Sequence, residues 1–141
     1  KRQIDPHLDT FKQLKKNCTL LHTEKLIEMD DKPAQTIRSG KKSSMWNAIE
    51  SVKTSKANVI VSCGNTGSLM AISTFLLRRL PDVKRPAIAI FWPSLSQTGF
   101  NIVLDAGADI KAQPKDMVTY ANFGSSICNK VFNVRLANVD Y

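Results

Sequence analysis

Apolar residues recur along this chain in two rhythms: short unbroken runs that suit strands buried on both faces, and a three-to-four-residue spacing that suits helices. The two meet at residues 58–80, NVIVSCGNTGSLMAISTFLLRRL. Residues 58–61 read as a parallel strand covered on both faces. Gly64, Asn65, Thr66 and Gly67 read as a tight loop, and a long apolar helix begins at Ser68 and is stopped by Pro81. Glycines on either side of two hydrogen-bonding side chains let the backbone turn sharply and approach a ligand closely. The helix start that follows carries free N–H groups and a partial positive charge, the arrangement that binds anions. Ordinary turn chemistry is the plain alternative, because glycines between a strand and a helix are common.

Upstream, Leu8, Phe11 and Leu14 fall at helical spacing after Asp5, a candidate N-cap, and predict a helix over 6–16. A short strand is expected at 19–22. The charged turn 28–33 then offers Asp30 or Asp31 as cap and Pro33 as the first helical residue of a short helix ending near Gly40. Lys41 and Lys42 with Ser43 and Ser44 precede a helix that places Met45, Ala48, Ile49 and Val52 on one face, either serine serving as its cap. Two lysines and two hydroxyls at a helix start form a second anion-friendly group, for which a solvated loop is the plain alternative. Downstream, strands are expected at 87–91, closed by Pro93, and at 100–104, with a turn at Gln97, Thr98 and Gly99 between them. A helix over 114–131 and a closing apolar stretch at 134–139 follow. Strands alternating with helices indicate an α/β fold with a mainly parallel sheet. In such sheets ligands bind beyond the carboxyl ends of the strands, so the Asp105 to Asp109 loop and the glycine loop are expected to share one edge, Asp109 by default as a helix cap.

Composition narrows the possibilities without choosing one. A chain of 141 residues with 43% hydrophobic composition can bury a core and is read as a single α/β domain over 1–141. No apolar run approaches the roughly 20 residues of a membrane span. The expectation is a soluble, cytoplasmic protein. Cys18, Cys63 and Cys128 show no paired spacing, which suggests neither a disulfide framework nor a metal site, and no cofactor is expected. Cys63, at the mouth of the central loop, reads first as a small packed residue. A formal charge of +8 favours acidic partners, yet no aromatic-rich basic stretch or zinc-finger spacing points to nucleic acid. The missing initial methionine and the end at Tyr141 suggest the central part of a longer protein.

Taken together, MDDKPAQTIRSGKKSSMWNAIESVK (29–53), VSCGNTGSLMA (61–71), RLPDVKRPAIA (79–89) and VLDAGADI (103–110) resemble the bacterial phosphate acyltransferases of phospholipid synthesis, the PlsX family. The resemblance implies transfer of a long-chain fatty acyl group from acyl carrier protein to inorganic phosphate, giving acyl phosphate. It also implies a three-layer α/β/α sandwich like that of phosphotransacetylases and the isocitrate dehydrogenase group, a homodimer, and peripheral membrane contact. By position, Asn65, Thr66, Lys42, Ser43, Ser44, Asp30, Asp31, Lys32, Asp105 and Gly107 match stretches lining that family's cleft.

Within this resemblance Asn65, Lys42 and Asp105 are the expected catalytic residues. Gly64, Thr66, Gly67, Ser43, Ser44, Asp31, Lys32 and Gly107 are the expected substrate-binding ones. The N–H groups around 64–67 would hold phosphate or the developing oxyanion with Asn65, Thr66 and Lys42, and Asp105 would orient Lys42 or a substrate group. Arg78, Arg79, Lys84 and Arg85 would suit an acidic carrier protein. Departures are the missing strand and glycine-rich loop that open family members, Asp140 and Tyr141 in place of a glycine and an acid, Cys63 where alanine is usual, and Asp109 where asparagine is common. A related phosphotransacetylase-type enzyme and a non-catalytic anion-binding fragment of the same fold remain alternatives.

Overall fold

The computed structural model describes residues 4–81, 83–84, 86–106, 113–135 and 137–140. It divides into two compact units, Lys1–Arg78 and Arg79–Tyr141, and the described elements are mixed α and β.

The first unit carries five helices: α1 Asp5–Thr10, α2 Lys12–Asn17, α3 Pro33–Ser39, α4 Ser44–Lys53 and α5 Thr66–Leu77. The single helix expected over 6–16 is broken at Phe11, whose φ of −111° and ψ of 74° leave the helical region, and Ile4 takes the cap position expected of Asp5. Phe11 is exposed. No residue of α1 is buried, and helical stability in proteins comes mostly from packing.

The other four-turn signals behave as local chemistry dictates. Pro33 opens α3 at its first position and Gly40 closes it, its N–H donating to the Thr36 carbonyl at 2.9 Å. A Cβ on Gly40 would lie 2.5 Å from that carbonyl oxygen, so the close approach requires glycine. Lys32, not Asp30 or Asp31, holds the cap position; Asp31 instead turns its Oδ2 back onto the Glu28 N–H at 2.9 Å. Ser43 caps α4, its Oγ accepting the Trp46 N–H at 3.2 Å.

Ile27, Met45, Trp46, Ile49, Ile72 and Leu76 form the core of this unit, with Ile60 and Leu69 packed against it. α5 crosses both α3 and α4 there. Ile49 and Ile72 have no exposed surface. Helix α5 ends at Leu77, ahead of Pro81, because Arg78 adopts a left-handed φ of 67°.

The strands expected at 19–22 and 58–61 do not form ladders among the described residues, whose only contact of that type in this unit is a parallel bridge between Lys25 and Ser43. Val59 and Val61 are 74% and 87% exposed. The hydrophobic run is there, but a strand is defined by a partner for its N–H and C=O groups, and among the described residues this segment meets none.

In the second unit β1 Ile90–Pro93 and β2 Phe100–Val103 pair antiparallel, Ile90 opposite Val103 and Pro93 opposite Phe100. β1 begins three residues later than the run starting at Ala87 suggests. The connecting turn carries Gly99 at φ 78°, the left-handed geometry that favours glycine. α6 Pro114–Phe132 follows and stops at Asn133, which is left-handed, with the Val134 N–H returning to the Cys128 carbonyl. Its last residue, Phe132, meets Phe91 and Phe100 with ring centroids 5.4 and 4.8 Å apart. The stretch at 137–139 joins no ladder among the described residues. No helix among the described residues is long and apolar enough to cross a membrane.

Candidate functional site

The site grows from the start of α5. Asn65 is its N-cap, with Oδ1 accepting the Ser68 N–H at 2.9 Å. Its Nδ2 donates to the carbonyls of Glu28, Met29 and Asp31 at 3.2, 3.0 and 3.0 Å. Both ends of the amide are committed to backbone, and the residue is only 7% exposed. One neutral side chain thereby ties the 28–31 turn to the helix start, and every donor expected to reach a substrate from Asn65 is already used.

Gly67 has a specific reason to be glycine. A Cβ there would lie 2.6 Å from Cγ of Pro33, so the starts of α3 and α5 lie against one another. The start of α3 offers little of its own, since Pro33 has no N–H and the Gln35 and Thr36 N–H groups bond the Lys32 carbonyl. The free donors are those of α5. In the first turn of α5 the Ser68 N–H goes to the cap and the Leu69 N–H to the Asn65 carbonyl. Those of Thr66 and Gly67 have no intrahelical partner. No acidic residue occupies that turn.

Of the other expected residues, Gly64 is close to Met45, 3.1 Å from a Cβ position to its Cε, and shares a cavity wall with Ser44. Asp31 and Lys32 are brought beside Asn65 and Pro33 through the 28–33 turn. Ser43 is fully buried in its capping role and presents no surface. Lys42 is exposed and left-handed, at φ 66°. Asp105 belongs to the second unit. There its Oδ1 accepts the Ile88 N–H at 2.8 Å while the Ala106 N–H donates to the Ile88 carbonyl, prolonging the β1–β2 pairing. Gly107, and with it Asp109, lies outside the described residues.

Sequence reading missed three things. Ser68 is buried and its Oγ has no hydrogen-bond partner among the described residues. It stands at N3, where a capping box usually places an acid; a serine there keeps the helix start uncharged. The carbonyls of Glu28 and Met29 are half of the Asn65 clamp, and no side-chain pattern marks them. Thirdly, a cavity of about 380 Å³ opens beside Gly64. No group of three or more metal-ligating side chains occurs among the described residues.

The starts of α3 and α5 lie against one another, held by the buried neutral amide of Asn65. The profile of one family, described as "Fatty acid synthesis protein", matches residues 1–140, and this chain belongs to that family. It is 50% identical over 123 residues to a phosphate acyltransferase of Cereibacter sphaeroides, covering 87% of this chain and 33% of that protein. Proteins of the same name from Rhodobacter capsulatus and Roseobacter denitrificans are each 52% identical, over 82% and 88% of this chain and 29% and 35% of theirs. The chain thus spans about a third of the length of the curated relatives it matches.

Proposed function

We propose that this chain forms the phosphate-receiving part of an acyltransferase that moves a long-chain fatty acyl group from acyl carrier protein to inorganic phosphate. A phosphate oxygen attacks the thioester carbonyl, a C–O bond forms, the C–S bond breaks, and the carrier leaves as thiolate to be protonated. No covalent enzyme intermediate and no cofactor is needed. The observation that carries this reading is the start of α5, where Thr66 and Gly67 offer free N–H groups in a turn without any acid, beside the start of α3. Preorganised donors aimed at developing negative charge contribute about 3 kcal/mol each to a transition state.

Asn65 fixes the geometry, and Lys42, exposed at a strained backbone position, supplies mobile positive charge near the start of α4. The names of the relatives support acyl transfer to phosphate. The complete enzyme, in this reading, is a cytoplasmic homodimer with a three-layer α/β/α architecture, a mainly parallel sheet and peripheral membrane contact. Of the basic residues expected to attract the acidic carrier, Arg78 belongs to the first unit and Arg79 and Lys84 to the second, and Arg85 lies outside the described residues.

Phosphate-dependent loss of a long-chain acyl-carrier thioester, with hydroxylamine-trappable acyl phosphate as product, tests the reading. Turnover that requires phosphate establishes it; phosphate binding without product would reduce the site to an anion-binding module.

A further inference from the structure

Several hydroxyls of the first unit find a partner on their own helix, and Ser68 does not. Thr36, Ser51 and Thr74 each donate to a carbonyl three or four residues back at 2.8 Å, and Ser43 accepts the Trp46 N–H. Ser68 has no exposed surface, and its Oγ has no hydrogen-bond partner among the described residues. A buried hydroxyl left unpaired costs stability, and alanine is also the better helix former, so the fold by itself gains nothing from this serine.

The direction of the side chain says where a partner would come from. Ser68 is the third residue of α5, and a helical side chain leans back over the turn that precedes it, so the hydroxyl is aimed at the helix start. That start is made of donors. The N–H groups of Asn65, Thr66 and Gly67 have no partner among the described residues, and the turn contains no acid. Its one side-chain acceptor, Asn65 Oδ1, is taken by the Ser68 N–H at 2.9 Å. A buried hydroxyl set among free N–H groups is completed by a ligand that only accepts, an oxyanion.

Resting on the phosphate-receiving reading of this helix start, we infer that Ser68 is a binding residue for the anion and is reached by exchange. One oxygen of the anion takes the place of Asn65 Oδ1 and receives both the N–H and the O–H of Ser68. Asn65 keeps its hold on the 28–31 turn through Nδ2. The exchange replaces one bond to a neutral acceptor with two charge-assisted ones, which are shorter and stronger. It also accounts for a ligand-binding hydroxyl that solvent does not reach: the carboxamide oxygen holds the place until the anion arrives.

Titration of inorganic phosphate into the full chain, followed by nitrogen-edited NMR and by calorimetry, tests the assignment. The Ser68 N–H and the Asn65 side-chain amide signals should shift together as the site fills. Ser68→Ala should weaken phosphate about ten- to a hundredfold, with a melting temperature equal to or above that of the parent chain. A serine with only a structural role would instead lower melting and affinity together. Unchanged affinity in Ser68→Ala, or shifts at Thr66 and Gly67 that leave Ser68 and the Asn65 amide unmoved, overturns the inference and leaves the proposed function standing. Ser68-dependent phosphate binding without phosphate-dependent acyl transfer retains the exchange and sinks the function. No shift anywhere in residues 65–68 removes both the exchange and this placement of the phosphate site.

Discussion

Helices α5 and α6 begin in opposite ways. At α6, Pro114 occupies the first position and has no N–H to satisfy, and the Asp116 carboxylate in the first turn accepts the Gln113 N–H at 3.0 Å. That start is closed by its own negative charge. At α5 the cap is a neutral amide, the first turn contains no acid, and its residues are small. A carboxylate near a helix start is stabilising by about 0.3–1 kcal/mol, so α5 forgoes an available gain and leaves its positive end uncompensated. The start of α3, which like α6 opens with a proline, lies against it through the Gly67–Pro33 approach. The α6 start is closed by its own charge, and the α5 start is the one that the proposed phosphate site would use.

The comparison breaks most readily at Asn65. Asn65→Ala removes the cap and strands the carbonyls of Glu28, Met29 and Asp31, so turnover in the phosphate-dependent assay should fall about 100-fold or more. Denaturant melts should show a stability loss of about 2 kcal/mol or more from the same change. Because the amide acts by position, Asn65→Asp should not rescue activity even though it keeps a capping oxygen; full activity in that variant would remove the clamp from the mechanism.

Gly67→Ala pushes a methyl group into the Pro33 ring, and the rigid ring cannot yield as a flexible side-chain end would. A loss of about 1–3 kcal/mol in chemical unfolding is expected, with a raised KM for phosphate as the two helix starts separate. An unchanged melt would mean that the approach of α3 to α5 is looser than the geometry implies.

Exchanging charge between the two starts sharpens the contrast. Asp116→Ala gives α6 the uncharged opening of α5 and should cost about 1 kcal/mol. Thr66→Glu gives α5 the acid it lacks, and here stability and activity should part: the melting free energy rises by about 0.3–1 kcal/mol while phosphate affinity falls. If Thr66→Glu leaves the KM for phosphate unchanged, the α5 start is not where phosphate binds.

Much of this was legible in the sequence, and the legible part is local. Ser43 as the cap of α4, Pro33 and Gly40 at the ends of α3, the Gly99 turn and the length of α6 all follow from residues within one or two turns of each other. The glycine loop was readable as a tight turn ahead of a helix start for the same reason. The break at Phe11 was less accessible, because the helical spacing of Leu8 and Phe11 is genuine and what is missing is a surface to bury it against.

What the sequence by itself determined was therefore the inventory: which segments turn, which coil, and which helix start is left without an acid. Tertiary structure decided what those elements do. The Asn65 amide finds carbonyls 34 to 37 residues away, so a side chain that reads as a free donor becomes a clamp. Gly67, readable as part of a tight turn, is fixed as glycine by a proline on another helix. Residues 58–61 have the composition of a strand and no ladder partner among the described residues. The physical reason is common to all three: propensity and capping are set by neighbours along the chain, whereas hydrogen-bond partners, close approach and strand pairing are set by whatever the fold brings alongside.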